Sequence, residues 1–353
     1  MKSNKLLITL PFVALLLSGC VGKKTYAANE YMLPIPWIGA EDFRILQLND
    51  IHLSQSDLHE DHFKVIDRTI EAAHPNLIVL NGDIFTYADK HTVNKVFSHF
   101  DSKGIMWTFT FGNHDDQGYY SDLYLQRLLG SKKYTHCVFK NIEDDDVTGR
   151  SNFVLNIQDK DDNHKVIYQV YLLDSHSYNF DTMGYDYLKK DQIDWYKRVV
   201  EYSTENLGGG NVIPSSMFMH IGFPEFISSW EDSKDTEDLL IGDMQEFAGS
   251  PKEDLGFFGK VLELGSTRTV SCAHDHANDS VIRYKDKNSK GEDVYLCYGV
   301  HSTDRIYCDD AKIKLGGQVI AINKTTKKLT FTNYYGNYNS EEVKIVEKGE
   351  LAE

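Results

Sequence analysis

Basic residues are in short supply: 37 Lys and Arg face 53 Asp and Glu in a 353-residue chain, for a net charge of -16. A protein that coats nucleic acid needs a basic face to displace counterions, so that class of partner is excluded. Proline is sparse, with seven residues. No Pro- or Ser-rich stretch or internal repeat divides the chain, which argues for one folding unit although the length would allow two. Hydrophobic residues make up 41% and charged residues 25%, which excludes disordered and collagen-like classes. Cysteine never occurs as Cys-x-x-Cys, which removes thiolate zinc sites and dithiol redox motifs. The apolar run Leu6 to Leu17 is short for a bilayer span and contains Pro11.

What surrounds that run is an address. Lys2 and Lys5 precede it and Leu17-Ser18-Gly19-Cys20 follows it, the layout of an export signal. The last four residues resemble the lipobox of bacterial lipoproteins, which implies cleavage before Cys20, lipidation of Cys20 and attachment to a membrane of the cell envelope. Residues 1–19 are read as signal peptide and 20–40 as a tether, with plain secretion as the alternative. In an exported chain Cys137, Cys272, Cys297 and Cys308 can pair or remain buried thiols, and their spacing does not choose.

From residue 43 short apolar runs alternate with amphipathic stretches. Arg44 to Leu48, Leu77 to Leu80 and Ile105 to Phe111 are predicted strands, with helices at Asp61 to Ala73 and Val93 to Phe100 between them. This is the rhythm of a parallel sheet covered on both faces. Later strands are predicted at Phe153 to Ile157, Val166 to Leu173, Met217 to Met219, Thr269 to Ala273, Val294 to Tyr298 and Gln318 to Ile322, with one clear helix at Lys189 to Tyr202. The expected fold is a four-layer α/β/β/α sandwich over residues 41–335, followed by a tail at 336–353.

Metal-ligand side chains stand just beyond the apolar runs. Asp50-Ile51-His52, Gly82-Asp83 and Gly112-Asn113-His114-Asp115 follow the first three; His220 and His274-Asp275-His276 follow two later ones. Ligands gather at the carboxyl ends of parallel strands, so groups this far apart in sequence can converge. Each cluster alone is a weak signal. Together they offer carboxylates, an amide oxygen and imidazoles, a set suited to first-row transition metals rather than to calcium.

In this order the clusters resemble the motifs of the calcineurin-like metallophosphoesterase superfamily. The wording of His220-Ile-Gly-Phe-Pro-Glu-Phe226, Leu173-Asp174-Ser175, Gln192-Ile-Asp-Trp195-Tyr196 and Leu296-Cys297-Tyr298-Gly299 is similar to its purple-acid-phosphatase-like branch. The resemblance implies two divalent or trivalent cations (Mn, Fe or Zn), with Asp50, His52 and His276 holding the first, Asn113, His220 and His274 the second, and Asp83 bridging both. Such a pair clamps a phosphate oxygen and acidifies a shared water, so that hydroxide attacks phosphorus. His114 is then the general acid for the leaving group and Asp115 a candidate to orient it; Asp275 points away as a structural residue. Two positions depart from the purple enzymes: Thr86 stands where they carry a tyrosinate ligand, and His52 where they commonly lack a histidine. An iron-tyrosinate colour is therefore not expected.

The implied activity is that of an exported, envelope-anchored hydrolase of phosphate esters, monomeric, with monoesters favoured. The alternatives are a phosphodiesterase on a nucleotide, lipid head group or wall polymer, and a non-catalytic lipoprotein that binds phosphate-bearing ligands. His176 and His301 could approach the site from later loops, Tyr119-Tyr120 could wall it, and Arg305 could clamp phosphate.

Overall fold

The computed structural model describes residues 23–39, 41–54, 62–303 and 314–336 in full and the backbone of 345–351. The segment expected as a signal peptide, Cys20, Arg305 and Cys308 lie outside the described residues. A 3-10 turn at Ala28–Tyr31 leads into β1 (Met32–Trp37), and the expected β-α-β-α-β run follows as β2 (Phe43–Leu48), α1 (Phe63–Ala73), β3 (Leu77–Asn81), α2 (Lys90–Ser102) and β4 (Met106–Thr110). Beyond α3 (Asp122–Leu129) come β5 (Phe153–Asp159), β6 (Lys165–Leu172), the small hairpin β7 (Tyr178–Asn179) and β8 (Gly184–Tyr185), and α4 (Lys190–Asn206). The chain continues through β9 (Ser215–Phe218), α5 (Glu225–Ser233), β10 (Leu239–Ile241), α6 (Phe257–Leu264), β11 (Thr267–Cys272), β12 (Val281–Arg283) and β13 (Tyr295–Tyr298). It closes with β14 (Leu315–Ile322), β15 (Leu329–Gly336) and β16 (Ile345–Leu351).

Two sheets carry the fold. An eight-stranded sheet runs β1-β5-β6-β9-β11-β13-β12-β10, and a six-stranded one runs β16-β15-β14-β2-β3-β4. Within them β2, β3 and β4 are parallel, as are β6, β9, β11 and β13. The parallel strands are buried on both faces, so β3 reads Leu-Ile-Val-Leu-Asn without alternation. One apolar core joins the facing sheets to α1 and α2; a second joins the outer face of the larger sheet to α4 and α6. The helices form because each presents a single apolar stripe: Phe63, Ile66 and Ile70 on α1, and Val93, Val96, Phe97 and Phe100 on α2, whose first turn is capped by Asp89 accepting from the Thr92 N–H. The four-layer α/β/β/α architecture is therefore present.

Its limits differ from the expected ones. β1 lies within the segment expected as a tether and pairs with β5 from Met32 opposite Val154 to Trp37 opposite Asp159. β16 lies within the expected tail and pairs with β15. Neither carries the apolar run or regular alternation that marks a strand by itself; Pro34 and Pro36 in β1 argue against one, and the strand survives because it sits at the sheet edge. Cys137, Cys272 and Cys297 are free thiols. Among the described residues no helix is long and apolar enough to cross a membrane.

Candidate metal centre

Five parallel strands end on one side of the sandwich, and their next residues meet there. Asp50 and His52 follow β2, Asp83 follows β3, Asn113 and His114 follow β4, His220 follows β9, and His274 and His276 follow β11. The loops are laced together by their backbones. Asp50 N–H donates to the Gly82 carbonyl (3.1 Å), His52 N–H to that of Asp83 (2.9 Å), and Ala273 N–H to that of His220 (2.9 Å). Asp50, His52, Asp83 and His274 all adopt left-handed backbone, with φ of 52°, 50°, 50° and 78°. For non-glycine residues that conformation costs energy and persists only where the surroundings over-determine it, as at functional sites. Gly82 and Gly112 are demanded by close approach: a Cβ on Gly82 would lie 2.4 Å from the His220 ring, and one on Gly112 2.3 Å from the Asp83 amide.

The donor atoms are close and buried. His220 Nε2 lies 3.1 Å from Asp83 Oδ2 and 4.0 Å from Asp50 Oδ1, His276 Nε2 lies 3.7 Å from Asp50 Oδ1, and His52 Nε2 lies 3.1 Å from His276 Nε2. One ligand atom from each of Asp50, His52 and Asp83 falls within 4.8 Å of the others, and likewise for Asp83, His220 and His274. The remaining ring nitrogens are tied behind. His220 Nδ1 donates to the Asn81 carbonyl (3.0 Å), and His52 Nδ1 pairs with Thr86 Oγ1 (2.9 Å). Each contact turns Nε2 towards the centre, the arrangement that fixes a ligating imidazole.

Asp50 Oδ1 and Asn113 Oδ1 are buried without a hydrogen-bond partner among the described residues, and His220 Nε2 makes no well-aligned hydrogen bond. Asp50 Oδ1 and His220 Nε2, left open 4.0 Å apart at the ends of two strands, fit a cation. The electrostatics agree. Burial pushes His52 and His274 down to about 3, so both imidazoles are neutral at ordinary pH and able to ligate. Burial also acts on Asp83 and His220, but their mutual contact outweighs it: the Asp83 carboxyl is held well below its usual range and His220 is pushed up to about 10. A bound cation would take the place of that His220 proton.

His114 lies at the rim. Its backbone N–H donates to Asp83 Oδ1 (2.7 Å), and its ring stands edge-on to His52 at 5.1 Å between centroids. Its Nδ1 pairs with Gln117 Oε1 (2.8 Å), not with Asp115 as the sequence suggested. Asp115 is taken up elsewhere: its carboxylate accepts from the backbone N–H groups of Asp83 (3.0 Å), Ile84 (2.9 Å), Phe85 (3.0 Å) and Gly112 (2.8 Å). It clamps the two loops that carry Asp83 and Asn113. Asp115→Ala is expected to destabilise the metal-free protein by about 3 kcal/mol or more, because buried N–H groups lose their acceptor; thermal denaturation measures it.

Asp275 points away from the centre, accepting from the Tyr298 hydroxyl (2.7 Å) and the Gly249 N–H (2.8 Å). His176 pairs with Gln192 Oε1 (2.7 Å) and stays outside the cluster. Tyr120 stacks on Tyr124 at 4.0 Å between centroids, while Tyr119 is exposed. His301, by contrast, does reach the centre. Gln117 had no motif to announce it; only its helical spacing from His114 could have drawn attention. Beside the centre, past Gly112 and Ser177, lies a cavity of about 550 Å³ walled by Asp116, Asp122, Asp144, Asp174, Asp186 and Arg150.

The chain matches the family described as calcineurin-like phosphoesterase over residues 43–277. It is 28% identical to Phosphatase DCR2 of Saccharomyces cerevisiae over 283 residues, covering 73% of this chain and 47% of that protein, so it spans about half the length of that relative. It is 27% identical to Probable inactive purple acid phosphatase 29 of Arabidopsis thaliana over 290 residues, 73% of this chain and 71% of that one. A dimetal phosphatase from Danio rerio shares the fold with a TM-score of 0.51 at 10% identity, covering 83% of this chain and 96% of that one.

Proposed function

The chain belongs to the calcineurin-like phosphoesterase family, and on that premise we propose that it hydrolyses phosphate esters at a two-metal centre, with monoesters favoured. The observation that carries this reading is the convergence of ligand atoms from Asp50, His52, Asp83, His220, His274 and His276, beside which Asn113 Oδ1 is buried and open in the loop after β4. Asp50, His52 and His276 would hold the first cation, Asn113, His220 and His274 the second, and Asp83 both. Bound manganese, iron or zinc would supply positive charge for phosphate oxygens and a hydroxide at neutral pH. His114 donates a proton to the leaving oxygen, and Gln117, accepting from Nδ1, leaves Nε2 turned to the reacting group. The acidic wall of the neighbouring cavity disfavours ester substituents with further negative charge, and the preference for monoesters draws on the relatives, named a phosphatase and a purple acid phosphatase.

A second reading, a non-catalytic binder of phosphate-bearing ligands, draws on the word inactive in the names of two relatives, Probable inactive purple acid phosphatases 29 and 14 of Arabidopsis thaliana. Metal analysis of the purified protein with rates on a matched aryl phosphate monoester and diester separates the two. Two equivalents of transition metal and faster monoester cleavage are expected; phosphate binding without turnover by the metal-loaded protein supports the second reading. No bound metal, and no activity after adding one, sinks the enzyme.

The place of action proposed is the envelope of a bacterial cell, with Cys20 lipidated and the chain monomeric on the membrane surface. Leu6 to Leu17 and the Leu17-Ser18-Gly19-Cys20 tetrad support it. Cys20→Ala should move the protein from the membrane to the soluble fraction on cell fractionation.

A further inference from the structure

His301 follows β13, the next parallel strand beyond β11, and is 1% exposed. Its segment is stitched to the loop that carries Asp50 and His52. Asn49 N–H donates to Ser302 Oγ (2.9 Å), Ser302 N–H to the Asn49 carbonyl (3.1 Å), and Thr303 Oγ1 to the Ile51 carbonyl (2.9 Å). On its other side the His301 carbonyl accepts from the Gly316 N–H (2.7 Å). The backbone is thus pinned from two directions, and it sets the ring 4.6 Å from that of His276 and 6.5 Å from that of His52, centroid to centroid. One ring nitrogen lies within 4.8 Å of ligand atoms of both Asp50 and His276.

We propose that His301 is a further ligand of the first cation, giving that position three imidazoles, His52, His276 and His301, beside the carboxylates of Asp50 and Asp83. The inference rests on the two-metal reading above. The second position, with Asn113, His220, His274 and Asp83, has two imidazoles. Nitrogen-rich sites favour zinc, iron or cobalt over manganese, so the two positions differ in metal preference, the first being the more selective.

The test uses Co²⁺ bound to the full chain. Proton NMR of the wild type should show five exchangeable, hyperfine-shifted imidazole N–H signals, from His52, His220, His274, His276 and His301. His301→Leu, which fills the space without a donor, should lose one signal and weaken the first cation by about tenfold or more while retaining the second. Retention of the second cation shows that the variant is folded; if it is lost as well, His301→Gln is read in the same way. Four signals in the wild type, or two unchanged affinities in the variant, overturn the role of His301 alone. No Co²⁺ uptake by the wild type overturns the two-metal reading and this inference with it.

Discussion

Asp83→Asn should remove bound metal and hydrolysis together. Asp83 belongs to both groups of ligand atoms: its Oδ2 lies 3.1 Å from His220 Nε2 and 3.9 Å from His52 Nε2. The other oxygen accepts the His114 N–H at 2.7 Å, so the same side chain also positions the backbone of His114, the proposed general acid. An amide keeps the shape but withdraws the negative charge, and it places N–H hydrogens where lone pairs must face cations. Loss of a group that merely orients a ligand costs about 10–100-fold in metal affinity; loss of the shared carboxylate should exceed that at both positions. Inductively coupled plasma analysis and aryl phosphate turnover should fall to background in parallel. If the Asp83→Asn protein kept two tightly bound cations, the assignment of Asp83 as bridge would fail.

Much of this site is legible in the sequence, for a physical reason. A parallel strand buried on both faces is a continuous apolar run, so its end is visible as a boundary in the chain, and the fold collects ligands at such ends. Asp50, Asp83, Asn113, His220 and His274 each stand at or just beyond such a boundary. The limits of the fold are not legible in this way, because β1 and β16 are edge strands that depend on their partners more than on their own pattern. The same holds for contacts made by single side chains. Thr86 and His52 read as two separate departures from the purple enzymes, yet they are one device, the threonine hydroxyl lying 2.9 Å from His52 Nδ1. Asp115 sits beside His114 in sequence and suggests an orienter, but the turn sends its carboxylate back onto the backbone amides of residues 83–85 and 112. Neighbours in a tight loop diverge, and the tertiary fold decides which one returns to the ring.

That geometry makes His114→Ala the informative counterpart to Asp83→Asn. His114 carries no metal in the proposed scheme, so the variant should retain both cations and its fold. Turnover should drop by roughly a hundredfold or more, the usual size of a positioned proton donor's contribution. The loss should grow with the basicity of the leaving alcohol, because an alkoxide needs the proton while a nitrophenolate scarcely does. Gln117→Leu removes the acceptor on Nδ1 and should cause a smaller loss with the same leaving-group trend, since the imidazole stays but is no longer held in the donating orientation. A purely structural role for His114 would instead lower all substrates equally or release metal. Rates on a series of aryl and alkyl phosphates, measured on protein of verified metal content, distinguish these outcomes; equal slopes for parent and His114→Ala would show that the proton comes from elsewhere.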